Sequence, residues 1–209
     1  PWYFVKIVSR PEFFANSYLL ITFLTLFWGL YAGTLIDRYS RKKLFVIINI
    51  ICGILIGAVA FYGNYISSLP DFLVILVFGI TIFNYNIHYP NLYAFGQEIT
   101  EPKNYGRLNS YIEVQGQVTS VLAGAFAAIL LTGTNNNSLV IGGLTFILPI
   151  NIEAWDIYEI FLLDAVTYVA VIFIFMLMRY HSIAKEKIHK EKLFDRLKAG
   201  ARYLRDHPI

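Results

Sequence analysis

Uncharged apolar runs alternate with short charged clusters along this chain. From Asn16 to Gly33 no side chain carries a charge, and then Asp37, Arg38, Arg41, Lys42 and Lys43 crowd into one short turn. The stretch LFVIINIICGILIGAVAFY restores the apolar character at once. A helix needs about 20 apolar residues to cross the hydrocarbon of a bilayer. Five segments meet that length, near 14–36, 44–62, 72–95, 108–132 and 157–179. Residues 1–5 (PWYFV) read as the outer end of an earlier helix, mostly cut away, so the chain looks like a fragment without its true N-terminus. Backbone amides cannot go unpaired in lipid, so runs this long are helices. The shorter alternating segments of a membrane β-barrel are not visible. The expected fold class is an all-α integral membrane protein.

Composition sharpens this reading. Hydrophobic residues make up 57% of the 209 positions and charged ones 15%, against about 25% charged in soluble domains. The net charge of +3 comes without a basic stripe interleaved with aromatics, so no nucleic-acid partner is expected. The single cysteine, Cys52, lies within an apolar run; it allows no intrachain disulfide and no cysteine-built metal site. No phosphate-binding loop, nucleophile elbow or metal-ligand cluster appears. We therefore expect no enzyme, no cofactor, no metal and no ATP-driven step within this chain.

The cations set an orientation. Of 17 Lys and Arg, four lie in 38–43, two in 103–107 and nine in 179–209, while the loops at 63–71 and 133–156 hold none. By the positive-inside rule the loops 37–43 and 96–107 and the C-terminal tail face the cytoplasm. Lys6 and Arg10 fall on the outer side as a mild exception. The outer loop 133–156 contains SLVIGGLTFILPI, too short to span; Gly142-Gly143 among β-branched residues favours a small hairpin over an interfacial segment. In the tail, Leu193, Phe194, Leu197, Ala201 and Leu204 recur at helical spacing between charges. Such a helix suits the inner membrane surface or a solvated linker equally.

Ionisable groups inside spans are costly and are functional candidates. Asp164, with Thr167 and Tyr168 three and four residues on, lies near the outer end of the last span. Glu113 shares a face with Gln117 and Ser120 nearer the cytoplasmic end. His88, with Asn84 and Asn91 at helical spacing, gives the 72–95 helix one polar face. Each group is a candidate for coupling; the plain alternatives are a helix–helix hydrogen bond for Asp164, snorkelling or pairing with the basic loop for Glu113, and a satisfied bundle histidine for His88. Gly29/Gly33 and Gly53/Gly57 are spaced GxxxG, and Gly116, Ser120, Gly124 and Ala128 form a small-residue ridge. Such ridges let helix backbones meet in a membrane.

Gly33-x-x-x-Asp37-Arg38-x-Ser40-Arg41-Lys42-Lys43 resembles the G-x-x-x-D-R-x-G-R-R/K loop of the major facilitator superfamily, found between its second and third helices. Ser40 replaces the family's second glycine, which implies a different backbone conformation in the turn. PNLYAFGQEITEPKNYGRLNSYIEVQGQVTSVLAGAFAAILL is similar to the family's fourth-helix end, loop and fifth helix, and IYEIFLLDAVTYVAVIFIFMLMRY to its sixth. Within the family the chain looks most like bacterial enterobactin-type siderophore and macrolide exporters. Ala123-Gly124-Ala125-Phe126-Ala127-Ala128 departs from the GPxxGG-like signature of antiporters by lacking the proline.

The resemblance implies a twelve-helix transporter of two six-helix halves, with this chain as the N-terminal half: residues 1–180 the helix bundle, 181–209 the cytoplasmic linker between halves. It implies that Asp37 and its basic neighbours latch the two halves on the cytoplasmic side. The expected function is secondary export of a small amphipathic compound across the cell membrane by alternating access, driven by protons. The expected partners are that substrate, the lipid bilayer and the missing C-terminal half. A membrane-embedded scaffold that transports nothing is the competing class.

Overall fold

Each apolar run folds into one helix, because only an α-helix pairs every backbone amide within its own segment. The computed structural model describes residues 3–134, 138–141, 144–147 and 151–180. Its helices are α1 (Pro11–Arg38), α2 (Arg41–Ile66), α3 (Asp71–Ile99), α4 (Tyr105–Thr132) and α5 (Ile157–Leu177). Four are long and apolar enough to cross a membrane. α1 is a fifth if its segments Pro11–Gly29 and Tyr31–Arg38, meeting at 40°, count as one span. The protein is thus an all-α, multi-pass membrane bundle. The sequence-derived tail helix and the 181–209 linker lie outside the described residues.

The helices outrun the apolar runs that predict them, and the added turns are polar. α3 continues to Ile99 and so brings Glu98 into helical register. The turn between α1 and α2 needs no left-handed residue. Ser40 is extended (φ −63°, ψ 134°) and caps α2, its hydroxyl oxygen accepting from the Lys43 amide at 3.3 Å. Serine is favoured at that position because it satisfies a free helix-end donor. A short 3₁₀ turn, Pro102–Asn104, leads into α4.

Between α4 and α5 lie two short antiparallel strands, β1 (Ser138–Ile141) and β2 (Leu144–Ile147), with Ser138 opposite Ile147 and Ile141 opposite Leu144. Their base is tied by Thr134 N–H to Ile152 O (2.8 Å), Ile152 N–H to Thr134 Oγ1 (2.8 Å) and Trp155 N–H to Leu130 O (2.7 Å). Gly133 turns the chain out of α4 at φ 65°, where an added Cβ would lie 2.8 Å from Ile152 O and Ala154 N.

α2 is the hub. It packs most extensively on α5 and also on α3, while α1 packs on α3 and barely meets α2. Cys52, Ile56 and Val59 of α2 bury against Val77, Ala165 and Tyr168. The close approach to α5 uses glycines. A Cβ on Gly53 would sit 3.1 Å from Tyr168 Cβ, on Gly57 3.7 Å from Ala165 Cβ, and on Gly63 2.5 Å from Tyr158 Cβ. Gly29, Gly33 and Gly124 face open space among the described residues. Small residues therefore bring α2 and α5 together, and the α1 spacing packs nothing here.

These distances rank substitutions. Gly63→Ala should destabilise the full-length protein by about 1–3 kcal/mol, the usual penalty of overpacking. Gly57→Ala and Gly29→Ala should be nearly silent. Thermal unfolding in detergent reads the order; a silent Gly63→Ala would show that α5 is not held where these distances put it.

Candidate functional site

Charged residues cluster where the helices end, since a charge in the hydrocarbon costs several kcal/mol. One end of the bundle gathers the α1–α2 turn, the C-terminus of α3 and the end of α5. The Arg41 side chain there is mostly buried. Its Nε lies 3.4 Å from Glu98 Oε1, and its guanidinium donates to Ile36 O, the α1 end. Tyr180 O–H donates to the other Glu98 oxygen. Lys42 Nζ donates to Met178 O at 2.7 Å. Asn91, fully buried, donates to Arg41 O at 3.0 Å. One network so fastens α1, α2, α3 and the exit of α5 around the loop motif. Asp37 and Arg38 lie at its exposed rim, Arg38 with its guanidinium 5.9 Å from the Tyr39 ring centroid. Gly33 is exposed, one turn earlier on α1.

At the opposite end Arg10 pairs with Asp71 at 2.7 Å. Asp71 also opens α3, where the helix dipole favours an acid. Arg10, one of the two cations that the charge pattern does not account for, thus carries its own counter-ion.

The intramembrane candidates occupy different places. Asp164 lies about 10 Å along α5 from its start, by helical rise. It lines a cavity of about 440 Å³ among α1, α3, α4 and α5, with Thr81, Thr167, Phe78, Phe126 and Phe161. Thr167 spends its hydroxyl on Asp164 O at 2.7 Å. Asn84 donates to Tyr168 O–H, one turn after Asp164, at 3.2 Å, so it stitches α3 to α5. His88 stacks edge-on to Phe45, centroids 5.2 Å apart, within the α2–α3 contact. The donors of Asn84 and Asn91 on the shared polar face of α3 are therefore spent on neighbouring helices, while the side-chain oxygens of both stay buried without a partner among the described residues. Glu113 lies near the other end of the membrane and accepts from Tyr93 O–H. Gln117, Ser120 and Gly124 follow it on the exposed surface of α4. Of the ridge's two glycines, Gly116 meets another helix, its added Cβ falling 3.0 Å from Tyr89 Oη, while Gly124 faces open space among the described residues. Among the described residues no His, Cys, Asp or Glu cluster is built to hold a metal.

Sequence reading passed over three features. Glu98 and Tyr180 complete the charged network. Tyr85, Tyr89 and Tyr93 form an i, i+4, i+8 stripe along α3 toward α4; the first two rings are 4.5 Å apart and the third meets Glu113. The stripe was legible as helical spacing. Glu98 was not, because nothing local says that α3 runs far enough to reach Arg41.

A family model of the Major Facilitator Superfamily matches residues 13–208. The chain belongs to the major facilitator superfamily. No curated protein and no solved structure matches it. Members of this superfamily are membrane transporters, not enzymes, and that places the charged network and the Asp164 cavity in a transport protein.

The network gives a second prediction. Removing one member of a buried ion pair strands the other, which costs about 3–5 kcal/mol. Arg41→Ala and Glu98→Ala should each lower the melting temperature of the full-length transporter. The double variant should lose less than the sum, and Tyr180→Phe should cost about 1 kcal/mol. Additive losses would mean that Arg41 and Glu98 act independently.

Proposed function

We propose that this transporter exports a small amphipathic compound across the cell membrane by alternating access, with proton coupling through Asp164. The observation that carries the reading is the acid itself: a carboxyl well inside a span, opening on a cavity lined mainly by apolar and aromatic side chains. Such a site suits an apolar body with a polar or cationic group. An ionisable residue kept at that depth is a functional candidate by default.

Export and the likeness to siderophore and macrolide exporters rest on the loop and helix resemblances quoted above. In this reading residues 1–180 form the N-terminal half, 181–209 lead to a second half, and Asp37 latches the two halves on the cytoplasmic side. The network beneath it holds the loop in one shape, so a contact made by Asp37 in only one conformer biases the inward–outward equilibrium. Glu113 lies near the opposite surface from Asp164. The two acids are then separate stations at different depths, with Gln117 between them on α4. Asn84 and His88 support the helices that carry the path. The gathering of Arg38, Arg41, Lys42, Lys43, Lys103, Arg107 and Arg179 at one end supports a cytoplasmic place for that end.

Orientation is checked by impermeant maleimide on intact cells carrying the full-length protein with Cys52→Ala. Asn64→Cys should label and Asn104→Cys should not; the reverse result inverts the topology. Function is checked in proteoliposomes holding an internal pH dye and screened with amphipathic amines and macrolides. Wild type should release protons when its substrate is added. Asp164→Asn should abolish that flux, and Asp37→Asn should slow it at least tenfold, each with wild-type membrane insertion. Substrate movement without proton flux would remove the coupling role. A protein that moves nothing, and whose variants behave alike, would favour the scaffold.

A further inference from the structure

α1 and α2 both lean on α3 and scarcely on each other, and the furrow between them is large. It encloses about 610 Å³ and is floored by Ile80, Phe83 and Ile87 of α3. Trp28 braces it by donating from its indole to Phe83 O at 2.9 Å. Along one bank Ile47, Ile51 and Leu55 stand exposed at helical spacing, directly beyond Lys43. Apart from Asn84 the furrow is almost wholly apolar.

Cations flank its mouth on both banks, with the acid Asp37 next to Arg38 in the chain on the α1 side. On the α2 side a second cavity of about 520 Å³ is lined by Ser40, Lys42, Lys43, Val46, Ile47 and Tyr180. Ile47 lines both cavities, so they adjoin across that side chain. On the α1 side Arg38 reaches the ring of Tyr39, which also lines the furrow. The α2 amino-terminus, capped by Ser40, adds its positive dipole end. Neither Asp164 nor Glu113 lines this space.

We propose that the furrow between α1 and α2 holds one anionic phospholipid. An acyl chain lies along Ile47, Ile51 and Leu55, and the headgroup phosphate is bound between Arg38 and Lys43. An apolar furrow in a membrane bundle fills with hydrocarbon, and cations at its mouth select an anionic headgroup. The charge complementarity separates this from an unpartnered apolar face: the cations sit at the end of the furrow where a headgroup must be. A bound lipid would brace the loop motif from outside the charged network, without entering the Asp164 cavity. The proposal rests on the membrane bundle alone and holds whether or not Asp164 couples protons.

The test is native mass spectrometry of the full-length transporter, stripped of lipid in detergent and then offered phosphatidylglycerol and phosphatidylcholine in equal amounts. Wild type should retain one phosphatidylglycerol in clear preference. Lys43→Gln should still hold a lipid but lose the headgroup preference. Ile51→Trp should lose the retained lipid, whereas Ile54→Trp, exposed but outside the furrow lining, should keep it. Should Ile51→Trp melt below wild type, Leu55→Phe takes its place with the same expectation. Equal retention of both headgroups by wild type overturns the proposal. So does a furrow-filling variant that holds lipid as wild type does, or a wild type that holds none because another part of the protein covers the furrow.

Discussion

Hydrocarbon solvates neither a bare amide nor a charge, and every level of this structure follows from that. The amide half of the constraint makes each apolar run a helix and puts the chain reversals outside the membrane. The charge half collects the cations at helix ends, where they meet carboxylates and carbonyls whose own positions the same helices fix. Arg41 shows both halves at once. It begins α2, neutralises Glu98 at the end of α3, and donates to the carbonyl of Ile36 near the end of α1. Three helix termini are thereby held by one side chain that the membrane would not accept a few residues further in.

Helix–helix adhesion inside the bilayer cannot draw on the hydrophobic effect, so it depends on close fit. α2 and α5 achieve it with Gly53, Gly57 and Gly63 against Tyr168, Ala165 and Tyr158. α1 meets α3 through Ile21 against Gly79 and through the Trp28 hydrogen bond. α2 and α5 are the most extensively packed pair, α1 barely meets α2, and the furrow opens between those two. The charged turn at 37–43 joins α1 to α2.

The fold was legible in the sequence wherever the signal was local. Apolar run length gave the helices, and Gly142-Gly143 between β-branched residues pointed to the strand pair now seen as β1 and β2. The loop motif was legible as a string of charges. The partners of those charges were not, because Glu98 and Tyr180 stand far from Arg41 in sequence and meet it only through the packing of α3 and α5. Ser40 shows the same limit. As a replaced glycine it suggested an altered turn; in place it is an extended N-cap, a role set by where α2 begins. Among the intramembrane groups, spacing put Asn84, His88 and Asn91 on one face correctly. It did not reveal that Tyr168, Phe45 and the Arg41 carbonyl already occupy that face.

α4 poses the sharpest demand. Glu113, Gln117, Ser120 and Gly124 run down one exposed stripe, and hardly any of the helix is buried by the described residues. Lipid would charge heavily for an acid and an amide side by side. The Tyr93 hydroxyl offsets part of that cost at Glu113, and among the described residues no hydrogen bond does so for Gln117. A helix with such a stripe is stable in a membrane when protein or water, rather than acyl chains, covers it. The furrow between α1 and α2 presents the opposite surface, apolar along its length and cationic only at its mouth. A furrow of that kind suits acyl chains, whereas the α4 stripe needs protein or water to cover it.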